Sequence, residues 1–183
     1  MKLSKIKYIH LIGIGGVGMV GIAELLLNQG YKISGSDLSE SKNTLRLKKL
    51  GATVKIGHTK DNIKKADVVV FSSAVNKTNP EIMEAKKQGI TLIPRAEMVA
   101  SIMRGFQSIA VAGSHGKTTT TSLLSSIFGN AKLDPTIING GVLNSFGNSA
   151  KLGKSNWCLI ESDESDGSFL KIPFTYSIIT NIC

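Results

Sequence analysis

The sequence is poor in cysteine, in long apolar runs and in acidic residues, and each scarcity excludes something. Two cysteines occur in 183 residues, Cys158 and Cys183, both in apolar surroundings and without metal-type spacing. Neither a disulfide framework nor a structural zinc site is expected, and a reducing cytoplasm is the natural compartment. No apolar run approaches the ~20 residues of a membrane span. The opening "MKLSKIKYIHLIG" is basic and then apolar, but it flows into a glycine fingerprint without a small-residue cleavage site, so it is not read as a signal peptide. Acidic residues number 13 against 22 basic ones, a net charge of +9. The lysines are scattered over helical stretches such as "KNTLRLKKL" and "EAKKQG" with no aromatic interleaving. That pattern describes a solvated surface that also favours anionic small molecules. Neither nucleic acid nor a membrane is expected as a partner.

What is present is the composition of an ordinary globular protein, 42% hydrophobic and 19% charged, long enough for one large domain or two small ones. The first hundred residues alternate strand and helix. "YIHLIGI" reads as a strand, Val17 to Asn28 as a buried helix, and "YKISGSD" as the second strand. Ser39 is placed to cap a helix through Leu50, with "TVKIG" after it. "ADVVVFSS" is a continuous apolar run of the kind buried on both faces of a parallel sheet. In "NPEIMEAKKQG", Asn79 as cap, Pro80 in the first turn, Lys86 and Lys87 in the last and Gly89 beyond agree on a helix. "ITLIP" and "RAEMVASIM" complete a doubly wound α/β unit over residues 1–104. "RGFQ" (104–107) is the expected junction. Residues 108–183 then open a second α/β unit with the strand "SIAVAG" and a helix carrying Leu123, Leu124, Ile127 and Phe128 on one face. Two further strands are expected, "NWCLIE" and "TYSIIT". Strand, helix and two strands are too few to close a core, so the chain reads as the front portion of something longer.

"GIGGVG", between the first strand and helix, fits G-x-G-x-x-G. Gly13 permits the tight turn, Gly15 and Gly16 let backbone approach a pyrophosphate, and Gly18, after Val17, permits close packing of helix on strand. The helix start offers unpaired N–H groups to phosphate oxygens. Asp37, about 20 residues on at the end of the second strand, is placed to meet a ribose hydroxyl. Ser72 and Ser73 follow the fourth strand at its carboxyl end, and His58 is a lone histidine after the third. The pattern favours a diphosphate nucleotide, either NAD or a UDP-sugar.

"AVAGSHGKTTTT" is a second and different signature. Val111 stands where a standard phosphate loop has its first glycine, so the loop is a shortened one: Gly113, Ser114, His115, Gly116, Lys117, Thr118, with Thr119 beyond. Its glycines allow successive N–H groups to curl around phosphate, Lys117 meets the β/γ charge, and Thr118 can ligate Mg²⁺. "LIESDESDGSF" ends a later strand in acids. Glu161, nearest the strand end, suits a Mg²⁺ ligand; Asp163, Glu164 and Asp166 read as a surface turn.

Taken together, "HLIGIGGVGMVGIAELLLNQGYKISGSD", "VVVFSSAVNKTNPEI", "IPRAEMVASIM", "VAGSHGKTTTTSLL" and "IESDESDGSFL…TNI" resemble the Mur ligases of peptidoglycan synthesis, in order along essentially the whole chain. The resemblance implies a Rossmann-like first domain for the UDP moiety, a central domain for ATP and Mg²⁺, and a third domain. It implies joining of L-alanine to the lactyl carboxylate of UDP-N-acetylmuramate at the expense of ATP, with Lys117 and Glu161 in catalytic positions. Only the first domain and part of the second fall within these residues, so this stretch alone is not expected to catalyse. Two alternatives stay open: the recycling ligase that attaches an intact tripeptide to the same sugar nucleotide, and an NAD-binding oxidoreductase domain.

Overall fold

The computed structural model describes residues 6–143, 148–161 and 173–182. Asp163, Glu164, Asp166 and Cys183 lie outside them. The chain forms two compact units, Met1–Met98 and Val99–Cys183, dividing within the helix that precedes the 104–107 segment.

In the first unit five parallel strands, β1 (Tyr8–Ile12), β2 (Lys32–Asp37), β3 (Thr53–Ile56), β4 (Val68–Phe71) and β5 (Thr91–Pro94), lie in the order β3-β2-β1-β4-β5. The strand order reverses between β1 and β4, and open α/β sheets bind ligands in the crevice at such a reversal. Helix α1 (Val17–Asn28) is apolar on nearly all sides, with Met19 through Leu26 buried, as an interior helix must be. Helix α2 spans Lys42–Lys49. Its cap is Ser41 rather than the expected Ser39. Ser41 Oγ accepts from the Thr44 N–H at 3.2 Å, and Thr44 Oγ1 accepts from the Ser41 N–H at 2.7 Å. That reciprocal box needs a hydroxyl three residues into the helix, which Ser41 has in Thr44 and Ser39, facing Lys42, does not. Helix α3 (Pro80–Gln88) follows its sequence signals: Asn79 accepts from the Glu81 N–H at 2.9 Å, and Gly89 closes the helix at φ +68°. Ile82 and Ala85 from α3 pack with Ile12, Ile63 and Val69. Helix α4 is Arg95–Met103.

Among the described residues the second unit holds β6 (Gln107–Ala112), α5 (Lys117–Asn130), β7 (Thr136–Leu143), β8 (Asn148–Lys151), β9 (Trp157–Glu161) and β10 (Tyr176–Ile179), with strands ordered β10-β6-β9-β7-β8, the β7–β8 pair antiparallel and the other described pairs parallel. It has two strands, β7 and β8, that the sequence reading passed over. Only half of the expected apolar face of α5 is buried. Leu124 and Phe128, four residues apart, pack on Ile137 and Leu159, while Leu123 and Ile127 are each 61% exposed. The two pairs form adjacent rows rotated by ~100° about the helix axis, so one sheet covers one row. Phe128 meets Trp157 edge-on with ring centroids 5.4 Å apart.

Candidate functional site

The carboxyl ends of β1, β2 and β4 surround a cleft of about 750 Å³ in the first unit. Gly13, Gly15, Gly16, Asp37 and Ser72 line it, together with His58 and with Asn79 and Pro80 at the start of α3. Val17, Gly18 and Ser73 are not among the lining residues; Val17 is 42% exposed. Gly13 turns the chain at φ +76°, and its N–H and that of Ile14 both donate to the Ser36 carbonyl, at 2.8 and 3.0 Å.

Two residues of this fingerprint are used differently from expectation. The Gly15 N–H donates to Asp37 Oδ2 at 2.8 Å, the Leu38 N–H donates to Asp37 Oδ1 at 2.8 Å, and Asn43 donates to the Gly15 carbonyl at 2.8 Å. Both oxygens of Asp37 thus hold backbone, and the carboxylate ties the glycine loop to the end of β2. A Cβ on Gly15 would stand 2.7 Å from Thr44 Cγ2 and 3.1 Å from Ser41 Oγ, so the glycine is demanded by the approach of α2. Gly18 makes room for a side chain and not for a strand: a Cβ there would lie 2.7 Å from an Arg95 guanidinium nitrogen. The close packing expected at Gly18 occurs at Gly35, where a Cβ would meet Ile14 and the Leu11 carbonyl.

The sequence reading placed Asn79 and Pro80 at the start of α3 but did not assign them to the cleft. Asn79 and Pro80 follow the strand across the reversal from β1, and that position, with Asn-Pro opening a helix, was the available signal. Next to them Glu81 is fully buried, 2.6 Å from both Ser36 Oγ and Asn62 Nδ2. Burial pushes its carboxyl up, but the approach of His10 and the bonds from Ser36 and Asn62 outweigh it and hold the group below its ordinary value of 4.5. A carboxyl depressed by folding contributes stability above its ordinary value and loses it as pH falls through the folded one. The unfolding midpoint is therefore expected to drop on acidification below about pH 4.5, and Glu81→Gln to flatten that dependence in chemical denaturation at a series of pH values.

The second signature forms a loop between β6 and α5. Gly113 and Gly116 take φ values of +127° and +82°, and α5 begins at Lys117 with Gly116 as its cap. Lys117 Nζ donates to the Gly113 carbonyl. Thr118 and Glu161 come together although distant in sequence, because β6 and β9 are neighbouring parallel strands: Thr118 Oγ1 donates to Glu161 Oε1 at 2.8 Å. Glu161 Oε2 is buried and has no hydrogen-bond partner among the described residues. Thr119 is exposed in the first turn of α5 and Ser114 is half-buried.

Thr180 and Asn181, just past β10, also belong to this site. Asn181 Oδ1 accepts from the His115 N–H at 3.1 Å, and Thr180 Oγ1 stands 2.5 Å from the His115 carbonyl. These two residues brace the loop from the strand beside it, and "TN" after an apolar strand was the only sequence trace of them. Cys158 is buried with its thiol pushed up to about 12 by burial alone, which leaves it an inert core residue. No helix among the described residues is long and apolar enough to cross a membrane.

A family model described as "Mur ligase family, catalytic domain" matches residues 8–107. Proteins named UDP-N-acetylmuramate–L-alanine ligase are 56% identical over 182 residues in Pelagibacter ubique and 58% identical over 179 residues in Pelobacter propionicus. Those matches cover 100% and 98% of this chain, which spans 39% of the length of either relative. Among solved structures, the UDP-N-acetylmuramate–alanine ligase of Thermotoga maritima superposes with a TM-score of 0.86 at 32% identity, over 97% of this chain and 41% of that one. The UDP-N-acetylmuramate:L-alanyl-γ-D-glutamyl-meso-diaminopimelate ligase of Neisseria meningitides gives 0.87 at 28%, over 97% of this chain and 61% of that one. The family match covers more than half of the residues, and the glycine cleft and phosphate loop lie in the folds of those ligases: the chain belongs to the Mur ligase family.

Proposed function

We propose that this chain carries the nucleotide-binding parts of a cytoplasmic ligase that joins L-alanine to UDP-N-acetylmuramate at the expense of ATP. The observation that carries the reading is the presence of two unlike glycine sites in one chain. One is a crevice that suits a pyrophosphate with its nucleoside, and the other a lysine-bearing loop at a helix start that suits a triphosphate. On this reading residues 1–104 hold the UDP-sugar and residues 108–183 contribute to the ATP domain. Alanine is preferred to a tripeptide as co-substrate because the relatives at 56–58% identity are named for alanine; between the two solved structures, the alanine ligase stands at 32% identity and the tripeptide ligase at 28%.

The lactyl carboxylate attacks the γ-phosphate of ATP, giving an acyl phosphate and ADP. The amine of L-alanine then attacks the acyl carbon and phosphate leaves. Two anions meet in the first step, so its barrier is set by how well negative charge is neutralised. Lys117 and the loop backbone around Gly113 and Gly116 supply that on the protein side; the His115 N–H is held by Asn181, and His115 shapes the loop and is given no proton to transfer. Thr118 and Glu161 would hold Mg²⁺, which supplies further neutralisation of phosphate charge when bound. Their fit rests on the buried, unpaired Oε2 of Glu161 and the hard oxygen character of both groups.

The cleft reading is tested by calorimetric titration of the full-length protein. UDP-N-acetylmuramate is expected to bind saturably and NADH not at all. Comparable binding of NADH would overturn the assignment in favour of an oxidoreductase-type cleft.

A further inference from the structure

Next to the cleft lies a buried network for which the proposed reaction has no use. Glu81 on α3 faces His10 on β1, Ser36 on β2, and His58 and Asn62 on the segment after β3. Ser36 Oγ is 2.6 Å from Glu81 Oε2 and 2.9 Å from His58 Nδ1. Asn62 Nδ2 is 2.6 Å from Glu81 Oε1 and 3.0 Å from the Gly57 carbonyl. His10 Nδ1 is 2.9 Å from Ser34 Oγ, and its Nε2 lies 3.5 Å from Glu81 Oε2.

The distances assign the protons. An ionised carboxylate only accepts, so the single hydroxyl proton of Ser36 goes to Glu81. The Ser36 oxygen must then accept from His58, and Nδ1 of His58 carries a proton. In a neutral imidazole the other nitrogen, Nε2, is left as an acceptor. His58 lines the cleft with its side chain 15% exposed.

We propose that Glu81 and Ser36 are positioning residues for His58: they fix it as the Nδ1–H tautomer, so that Nε2 accepts a hydrogen bond from a hydroxyl or N–H of the bound nucleotide. The relay therefore reads the nucleoside or sugar and not the phosphates. This rests on the reading that the cleft takes a uridine nucleotide.

Glu81→Gln separates the relay from simple packing. Asn62 is anchored by the Gly57 carbonyl and keeps presenting an N–H to residue 81, which must answer with its amide oxygen. The amide NH₂ then faces Ser36, whose hydroxyl turns to donate to His58 Nδ1. Nε2 becomes a donor, and a nearly isosteric change reverses the polarity shown to the cleft.

The experiment is ¹⁵N-imidazole NMR of the full-length protein, at a pH where imidazole is neutral, with calorimetric titration of UDP as the probe. The wild type is expected to show His58 as Nδ1–H and Glu81→Gln to show it as Nε2–H, with UDP affinity lowered about tenfold. In a His58→Ala background, Glu81→Gln is expected to change UDP affinity less than about twofold, because the two act through one contact. An Nε2–H signal in the wild type, or the same loss in both backgrounds, would overturn the relay. Absence of UDP binding by the wild type would overturn the nucleotide reading and the ligand half of the proposal. The tautomer is decided by the wild-type spectrum alone, whatever the folding of the variants.

Discussion

Lys117→Ala in the full-length enzyme is expected to lower alanine-dependent ADP formation at least ~10²–10³-fold while leaving the affinity for UDP-N-acetylmuramate unchanged. In the proposed reaction the first step brings a carboxylate against a triphosphate, and a fixed cation is worth most where charge shifts between the two. Lys117 opens α5, so its charge stands at the positive end of the helix dipole. Its ammonium donates to the Gly113 carbonyl, so the stem already curls back over the loop. Alanine removes the charge and keeps the helix start, since alanine is the better helix former. Arginine is not expected to rescue: a compact ammonium acts here as a point charge, which a planar, delocalised guanidinium does not reproduce. The cleft of the first unit shares no residue with the loop, which is why binding of the sugar nucleotide serves as the internal control. Turnover within a few-fold of wild type would remove Lys117 from the reaction and, with it, the reading of the loop as an ATP site.

How much of this was legible in the sequence depended on whether the signal was local. The α3 helix was readable to the residue because cap, proline, basic last turn and closing glycine all sit within a dozen positions. The five strands of the first sheet were readable because each is a compact apolar run between turns. β7 and β8 were not, since "TIINGGVLNSFGNSAK" is broken by paired glycines and asparagines and has no clear alternation. Its strands exist because β9 offers a parallel edge to β7. Glycine spacing located both loops, but not the purpose of every glycine: what Gly15 and Gly18 make room for comes from α2 and from Arg95, and no spacing rule contains those partners. The braces of the second loop, Thr180 and Asn181, come from a strand more than sixty residues away. The Glu81 network draws its members from four elements, so each looked like an isolated polar residue on its own strand or helix.

The contrast between the two loop glycines gives the sharpest test of the bracing. Gly113→Ala is expected to destabilise by about 2–4 kcal/mol, combining backbone strain with overpacking, and Gly116→Ala by only ~1–2 kcal/mol. Both positions have positive φ, +127° and +82°, and so both strain an alanine. Only Gly113 also lacks space. A Cβ there would overlap the Thr180 hydroxyl and come within 3.0 Å of the Asn181 backbone N and O, whereas at Gly116 the nearest atoms are 3.9 Å away. Thr180 cannot simply rotate aside, because its oxygen stands 3.1 Å from the Ala112 carbonyl and 2.5 Å from that of His115. The end of β10 would have to move and take the loop with it, so ATP binding should weaken together with the melting temperature. Thr180→Ala removes the overlapping oxygen and leaves the Asn181 backbone in place, so it should restore part of the loss in a Gly113→Ala background while being destabilising by itself. Thermal denaturation of the four variants decides the matter. Equal losses at the two glycines, or no recovery on removing the Thr180 hydroxyl, would mean that β10 does not hold the loop and that the glycines serve backbone conformation alone.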